Sequence, residues 1–131
     1  MRFLFDTNIL SELARPRPDS SVSDFALRLP QIALSVITVE EISYGLTAKP
    51  NLRIQKWFEM FVETNCFVLP VTAAIAKESG ELRGKLQAQG KPRTQADMLI
   101  AATAKIHQLT LVTRNIKDFQ DCDIVILDPF V

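Results

Sequence analysis

The residues best suited to chemistry in this chain are three acids that stand where the sequence pattern changes. They are Asp6, Glu41 and Asp97. Carboxylates drawn together from distant parts of a chain can share one divalent cation, and Mg²⁺ prefers such oxygen ligands while keeping several of its waters. A cation held in this way can activate a water molecule for hydrolysis of a phosphodiester bond. The sequence therefore predicts a metal site built from scattered acids.

Taken singly, each carboxylate is explained equally well by the start of a helix. Asp6 follows an apolar run, at a junction where aspartate commonly caps the next helix. Thr38 with Glu41, and Thr94 with Asp97, have the spacing of a capping box, in which the acid bonds back to the first backbone amide. The case for a site must come from what surrounds these residues.

The surroundings of Asp97 and Asp6 favour a site. Residues 98–104 are apolar almost all round, as in a buried helix, and Asp97 stands at the head of that helix. Asp6 adjoins an apolar strand. An unpaired buried carboxylate costs several kcal/mol, so it needs a cation, many hydrogen-bond donors or a raised pKa. One divalent ion would meet this need for several acids together.

The elements that must position these acids alternate between strands and helices. Strands are predicted at 3–5, 32–35, 66–69, 110–112 and 124–127, and helices at 9–13, 19–29, 38–45, 50–63, 72–89 and 94–107. The strands are apolar throughout, which is typical of a mainly parallel sheet covered by helices on both faces. We expect one α/β domain over residues 1–131, a three-layer α/β/α sandwich. Ligands of such sheets bind beyond the carboxyl ends of the strands.

Composition limits the function classes. The chain has 131 residues, 47% of them hydrophobic, which is enough for one core. Its 15 basic and 15 acidic residues cancel, so it is not a strongly basic nucleic-acid binder. Cys66 and Cys122 lie in apolar surroundings without metal or redox spacing, and we expect two buried, reduced thiols. There is no membrane-spanning or secretory segment, which predicts a cytoplasmic protein.

Four blocks of the sequence, in order, resemble the PIN domain, and more closely the VapC-type or FitB-like toxins of bacterial toxin–antitoxin pairs. The blocks are Asp6-Thr7-Asn8, Ser35 to Gly45 around Glu41, Asp97 to Ala104, and Val112-Thr113-Arg114-Asn115 with Asp118-Phe119. None of the blocks is specific for this family alone, but the four in this order over nearly the whole chain are specific for it.

The resemblance implies a site of three or four acids around Mg²⁺ or Mn²⁺. Asp6, Glu41 and Asp97 match the family pattern directly, with Glu41 binding the ion itself or through water. The fourth acid falls in the family either at the position of Asn115 or three residues later. We favour Asp118, as a ligand that can act through water.

The family pattern also suggests polar neighbours for the acids and separates two adjacent glutamates. The expected neighbours are Asn8, Thr38, Thr113 and Asn115. Glu40 and Glu41 both flank the apolar face of their helix, so periodicity hardly distinguishes them. The small Gly45, one turn later, and the family match favour Glu41.

The implied function is that of a Mg²⁺-dependent endoribonuclease toxin that hydrolyses RNA, with transfer or ribosomal RNA as the family expectation. The resemblance further implies a homodimer and a VapB-like antitoxin, which would form larger assemblies with the toxin and provide its only link to DNA. The antitoxin segment would lie in an apolar groove and send a basic side chain into the acidic site. Candidate groove residues are Ile9, Leu10, Leu13, Trp57, Phe58 and Phe61, although ordinary core packing is the stronger explanation for most of them.

Basic residues in predicted loops offer a way to hold a polyanion despite the neutral net charge. They are Arg15, Arg17, Lys91, Arg93, Arg114 and Lys117. We expect Arg93 and Arg114 in particular to contact RNA phosphates without reading bases.

Two other functions share parts of this pattern. A catalytically silent PIN-fold module would bind RNA or an antitoxin without cleaving. A phosphatase with Asp6 as nucleophile would require a second acid two residues later, where Asn8 stands. The single histidine, His107, is expected to be a solvated residue at a helix end.

Overall fold

The structure is a computed structural model, and it describes residues 1–130. Its strands are β1 (Phe3–Phe5), β2 (Ile32–Ser35), β3 (Cys66–Leu69), β4 (Thr110–Val112) and β5 (Ile126–Leu127). Its helices are α1 (Thr7–Leu13), α2 (Ser20–Leu27), α3 (Val36–Ala48), α4 (Leu52–Asn65), α5 (Ala73–Ala88) and α6 (Gln95–His107), and a 3₁₀ turn covers Ile116–Phe119.

The five strands form one sheet in the order β3-β2-β1-β4-β5, and every neighbouring pair is parallel. The first strand of the chain therefore lies in the middle of the sheet. Because the strands are parallel, their carboxyl ends meet at one edge. This confirms the predicted α/β architecture.

Helices cover both faces of the sheet and enclose two cores. Successive residues of a strand point to opposite faces, so Leu4 packs with α5 and α6 while Phe5 packs with α1 and α2. Met98 and Ile100 of α6 are fully buried, as the apolar run at 98–104 predicted. The fold is the three-layer α/β/α sandwich expected from the sequence.

Some helix and strand boundaries differ from those predicted. α3 begins two residues earlier than expected, because Ser35 caps it by accepting a bond from the Ile37 amide at 3.0 Å. Thr38 therefore lies inside the first turn and is fully buried. Only Ile126 and Leu127 of the predicted last strand pair in the sheet.

Both cysteines are free thiols. Cys122 is buried as predicted, but Cys66 is only partly buried. Burial raises the pKa of the Cys66 thiol to about 12, which keeps it protonated at neutral pH. Within residues 1–130, no helix combines the length and the apolar character needed to cross a membrane.

Candidate active site

The acids predicted from the sequence lie at the carboxyl edge of the sheet, around its middle strand. β1 ends just before Asp6, β2 leads directly into α3, and β4 ends beside β1, where the Asp6 amide bonds to the Val112 carbonyl at 2.9 Å. From β1 the chain passes to β2 on one side, whereas β4 lies on the other. Ligands of open α/β sheets bind at such a reversal of strand order.

Asp6 is the most enclosed of the acids, with 5% of its surface exposed. Its Oδ1 accepts the Thr7 amide at 2.8 Å, so it does cap α1. Its Oδ2 accepts the Thr113 hydroxyl at 2.8 Å and the Asn8 side-chain amide at 3.0 Å. Burial raises the pKa of Asp6, and the Glu41 charge adds to this, while the three donors partly offset the rise.

The donors to Asp6 also fix the turn after β4. Asn8 Oδ1 accepts the Arg114 amide at 3.1 Å, and Thr113 Oγ1 accepts the Asn115 amide at 3.0 Å. Asn8 and Thr113 thus connect Asp6 to a segment more than 100 residues away in sequence. The structure places Asn8, Thr113 and Asn115 where the resemblance put them, beside the acids.

Glu41 points toward the site, and Glu40 does not. The Glu41 Oε1 accepts the Thr7 hydroxyl at 2.7 Å, and that hydroxyl lies 3.1 Å from the buried Thr38 hydroxyl. Glu40 is exposed to solvent. Because Ser35 caps α3, Glu41 is also free of the predicted capping box. Thr7 was missed by the sequence reasoning, although it stands inside the Asp6-Thr7-Asn8 block.

Asp97 lies in the first turn of α6, and Thr94 caps that helix by accepting the Asp97 amide at 3.1 Å. No bond from the Asp97 carboxylate back to the Thr94 amide occurs among the described residues. The pKa of Asp97 is raised to about 6, mainly by burial. The Thr94 hydroxyl offsets part of the rise, and the charges of three other carboxylates increase it. These are Asp6, Asp118 and Glu41.

Asp118 stands in the 3₁₀ turn and is exposed. Its negative charge adds to the rise in the pKa of Asp97. Asn115 precedes the turn without capping it through its side chain. Both candidates for the fourth position therefore lie at this edge, and only Asp118 brings a charge.

The four carboxylates repel one another and form no ion pairs among the described residues. Across residues 1–130, none of the salt bridges involves Asp6, Glu41, Asp97 or Asp118. No three Asp, Glu, His or Cys side chains in this part of the chain are close enough to hold an ion directly. The oxygen donors fit a hydrated divalent cation such as Mg²⁺, which binds one or two carboxylates and reaches others through water.

The basic residues predicted to contact RNA are largely engaged within the molecule. Arg93 Nη1 donates to the carbonyls of Asp118 and Gln120, each at 2.9 Å. Lys91 pairs with Asp121 at 3.0 Å. The Arg114 guanidinium lies 4.3 Å from the centre of the Phe130 ring, a cation–π contact at the edge of the site. The RNA-binding roles of Arg93 and Arg114 stay predictions.

A groove of about 470 Å³ leads away from the acids between α1, α3 and the start of α4. Thr7 and Glu41 line one end of it, and Gly45, Lys49 and Asn51 lie further along. A second groove, of about 320 Å³, is lined by Leu13 and by the stacked rings of Trp57 and Phe61.

Two of the candidate groove residues are core residues, which is the alternative that the sequence favoured for most of the set. Ile9 and Leu10 are exposed by 0% and 1%, so they belong to the core. Phe58 lies in a third, smaller cleft of about 210 Å³ between α3 and α4.

The fold and the site define a class of α/β/α proteins with an acidic edge at the reversal of strand order. The family model described as the PIN domain matches residues 3–124. The chain belongs to the PIN-domain family. This assignment removes the phosphatase alternative. PIN-domain nucleases in general depend on a divalent metal.

Relatives with known names agree with this assignment. Toxin FitB of Neisseria gonorrhoeae is 32% identical and covers 97% of both chains. The tRNA(fMet)-specific endonuclease VapC of Shigella flexneri is 30% identical over 92% of this chain and 91% of its own.

Solved structures are similar as well. VapBC2 from Rickettsia felis, bound to a DNA fragment from its promoter, matches with a TM-score of 0.85 and 29% identity over 97% of this chain and 98% of that one. A toxin–antitoxin complex from Klebsiella pneumoniae matches with a TM-score of 0.76 and 31% identity over 96% of both chains.

Proposed function

We propose that this protein is a divalent-metal-dependent endoribonuclease of the VapC type, acting as the toxin of a toxin–antitoxin pair. Four uncompensated carboxylates at the carboxyl edge of the sheet carry the proposal. The relatives named as ribonucleases and endonucleases support it. Mg²⁺ is the proposed ion, with Mn²⁺ as a substitute, because every donor is a hard oxygen.

In this proposal Asp6 and Asp97 would hold the ion, and Glu41 and Asp118 would contact it through its bound waters. The bound ion would lower the pKa of a water molecule and neutralise charge on the phosphoryl oxygens. Asn8 and Thr113 keep the Asp6 carboxylate in place, and Thr7 does the same for Glu41. Hydrolysis forms a bond from water to phosphorus and breaks the bond to the 3′-oxygen, which leaves a 5′-phosphate and a 3′-hydroxyl.

The RNA substrate is proposed from the names of relatives, one of which is specific for tRNA(fMet). Transfer RNA is therefore the first substrate to test, and ribosomal RNA the second. We place the activity in the cytoplasm, where such RNA is found and free thiols stay reduced. One PIN domain over residues 1–131 accounts for it.

Metal removal tests this function. With purified tRNA and rRNA, cleavage should fall at least about 100-fold in excess EDTA and return when Mg²⁺ or Mn²⁺ is added. Sequencing should find 5′-phosphates at the new ends. The Asp97→Asn variant, purified in the same way, controls for a contaminating nuclease. Undiminished cleavage in EDTA would overturn the mechanism, and a wild-type protein that binds RNA without cutting it would indicate the silent module.

We further propose that an antitoxin segment occupies the groove of about 470 Å³. The groove starts at Glu41 and Thr7 and continues along mainly apolar walls. An extended peptide lying there would bring a basic side chain to the uncompensated acids. Similar solved structures are toxin–antitoxin complexes, which supports a partner of this kind. Homodimer formation is part of the proposal, and exposed apolar side chains such as Tyr44, at 72%, are available for it.

Gly45 allows the groove to be blocked without disturbing the core. A Cβ atom at Gly45 would meet nothing within 4 Å, so Gly45→Ala should leave binding unchanged and stabilise α3 by about 0.5–1 kcal/mol. Gly45→Trp should weaken binding of the C-terminal peptide of the antitoxin encoded beside this chain at least about tenfold. Isothermal calorimetry with both variants measures this. If Gly45→Trp bound the peptide as tightly as Gly45→Ala does, the peptide would not lie in this groove.

A further inference from the structure

Arg93 joins the two segments that carry the last two acids. It stands directly before Thr94, the residue that caps the helix of Asp97. From there its Nη1 donates to the backbone carbonyls of Asp118 and Gln120, each at 2.9 Å, and lies 3.9 Å from Cys122 Sγ. One guanidinium nitrogen therefore connects the start of α6 to the turn of Asp118.

The turn that Arg93 contacts has few regular bonds of its own. The 3₁₀ turn is only four residues long and has no side-chain cap at its start. Just beyond it, Asp121 and Asp123 have left-handed backbone angles, with φ of 66° and 57°. Carbonyls at the end of a helix lack partners within it, and charge-assisted bonds from an arginine satisfy them well. Arg93 supplies these bonds next to an exposed acid.

Phe119 is the other main anchor of this turn, since only 1% of its surface is exposed. Phe119 fixes how deeply the turn sits in the core, but an apolar ring does not fix the direction of the neighbouring backbone carbonyls. The two hydrogen bonds from Arg93 fix the direction of these carbonyls, and one of them goes to the carbonyl of Asp118 itself. Arg93 therefore constrains the backbone that carries the Asp118 side chain.

We propose that Arg93 is a positioning residue that holds the Asp118 turn against the start of α6 and thereby tightens divalent-cation binding at the acidic site. This inference rests on the proposed metal-dependent function. Partners that orient metal-binding groups typically contribute about 10–100-fold in metal affinity or activity. The role differs from the phosphate contact that the sequence suggested for Arg93.

The direction of the change in metal affinity distinguishes a positioning role of Arg93 from a purely electrostatic role. A cation near the acids repels a metal ion, so loss of the Arg93 charge alone would strengthen metal binding. Loss of its two carbonyl bonds would weaken binding, because the Asp118 turn would be free to move. Arg93→Gln should therefore weaken metal binding if Arg93 acts by position.

The experiment measures Mn²⁺ binding to the full chain without RNA, by the electron paramagnetic resonance signal of free Mn²⁺. Arg93→Gln should raise the Kd about tenfold and the Mg²⁺ concentration for half-maximal cleavage by a similar factor. Arg93→Lys, which keeps the charge and can donate to the same carbonyls, should recover most of the loss. Hydrogen exchange of the amides at 118–122 should speed up in Arg93→Gln and much less in Arg93→Lys.

Lys91→Gln is the matched control. Lys91 belongs to the same loop and contacts the next part of the same segment through the Asp121 side chain, but it touches no backbone carbonyl there. Lys91→Gln should change the Kd for Mn²⁺ less than about twofold, because a half-exposed ion pair contributes little free energy. A Kd for Arg93→Gln equal to or below that of the wild type would overturn the inference. A wild type that neither binds Mn²⁺ nor cleaves RNA would overturn the proposed function as well.

Discussion

Replacing Asp97 by asparagine is expected to reduce RNA cleavage about 1,000-fold while making the metal-free protein more stable. The loss of activity follows because a neutral amide would neither hold the cation nor balance its charge, and three factors of ten correspond to about 4 kcal/mol of transition-state stabilisation. Asp24→Asn, the same change at an exposed acid of α2, is the control and should cleave normally.

The gain in stability follows from the raised pKa of Asp97, which moves from 3.8 to about 6. An acid with a raised pKa destabilises the folded chain when it is ionised, and this shift corresponds to about 3 kcal/mol. Solvent screening and the favourable first-turn position of the charge reduce the expected gain to about 1 kcal/mol.

The stability difference between Asp97→Asn and the wild type depends on pH. Well below pH 3.8 the carboxylate is neutral in both folded and unfolded chains, and its penalty is absent. The penalty develops as the pH rises from about 3.8 to about 6 and is complete above that range, so Asp97→Asn should be more stable than the wild type at pH 8 and nearly equal to it at about pH 3. Urea unfolding in EDTA at both values measures the difference. A variant less stable than the wild type at pH 8 would contradict the unfavourable placement of this charge.

Replacing Asp6 by alanine should abolish cleavage to a similar extent and also destabilise the fold by about 2–4 kcal/mol. Asp6 accepts the Thr7 amide as the cap of α1, and a lost cap costs about 0.5–2 kcal/mol. The Thr113 hydroxyl and the Asn8 amide would also lose their acceptor in a buried place, which adds about 1–3 kcal/mol. These losses exceed what is recovered by removing a buried charge.

A cap far from the acids provides the control for Asp6→Ala. Thr72 caps α5 by accepting the Ile75 amide at 3.2 Å. Thr72→Ala should lose about 1 kcal/mol of stability and keep full activity. Thermal melting together with the cleavage assay compares the two variants. If Asp6→Ala melted like the wild type, its hydrogen bonds would contribute nothing to the fold.

The parts of the fold that local pattern controls were predictable. Apolar runs bounded by polar residues marked β1 to β4, and the apolar character of residues 98–104 predicted the burial of α6. The apolar strands predicted a buried, mainly parallel sheet, but they did not predict the order of the strands within it. The start of α3 was predicted at Thr38, but Ser35 and Thr38 are both good helix caps. Ser35 is the actual cap, because β2 ends there and the helix follows at once.

The site was predictable for its acids but not for the contacts that orient them. Asp6 and Asp97 stood out because apolar neighbours made their charges costly. Thr7 contacts Glu41 across 34 residues, and Arg93 contacts the Asp118 turn across 25. No local spacing encodes such contacts, since they exist only once the sheet has brought distant segments together.

The position of β1 in the middle of the sheet has a consequence for how the protein is made. Asp6 leaves the ribosome before its partner Thr113 and the turn of Asp118, which are synthesised more than 100 residues later. The acids can meet only after β4 has inserted beside β1. A fragment that ends before β4 therefore lacks the assembled acidic site.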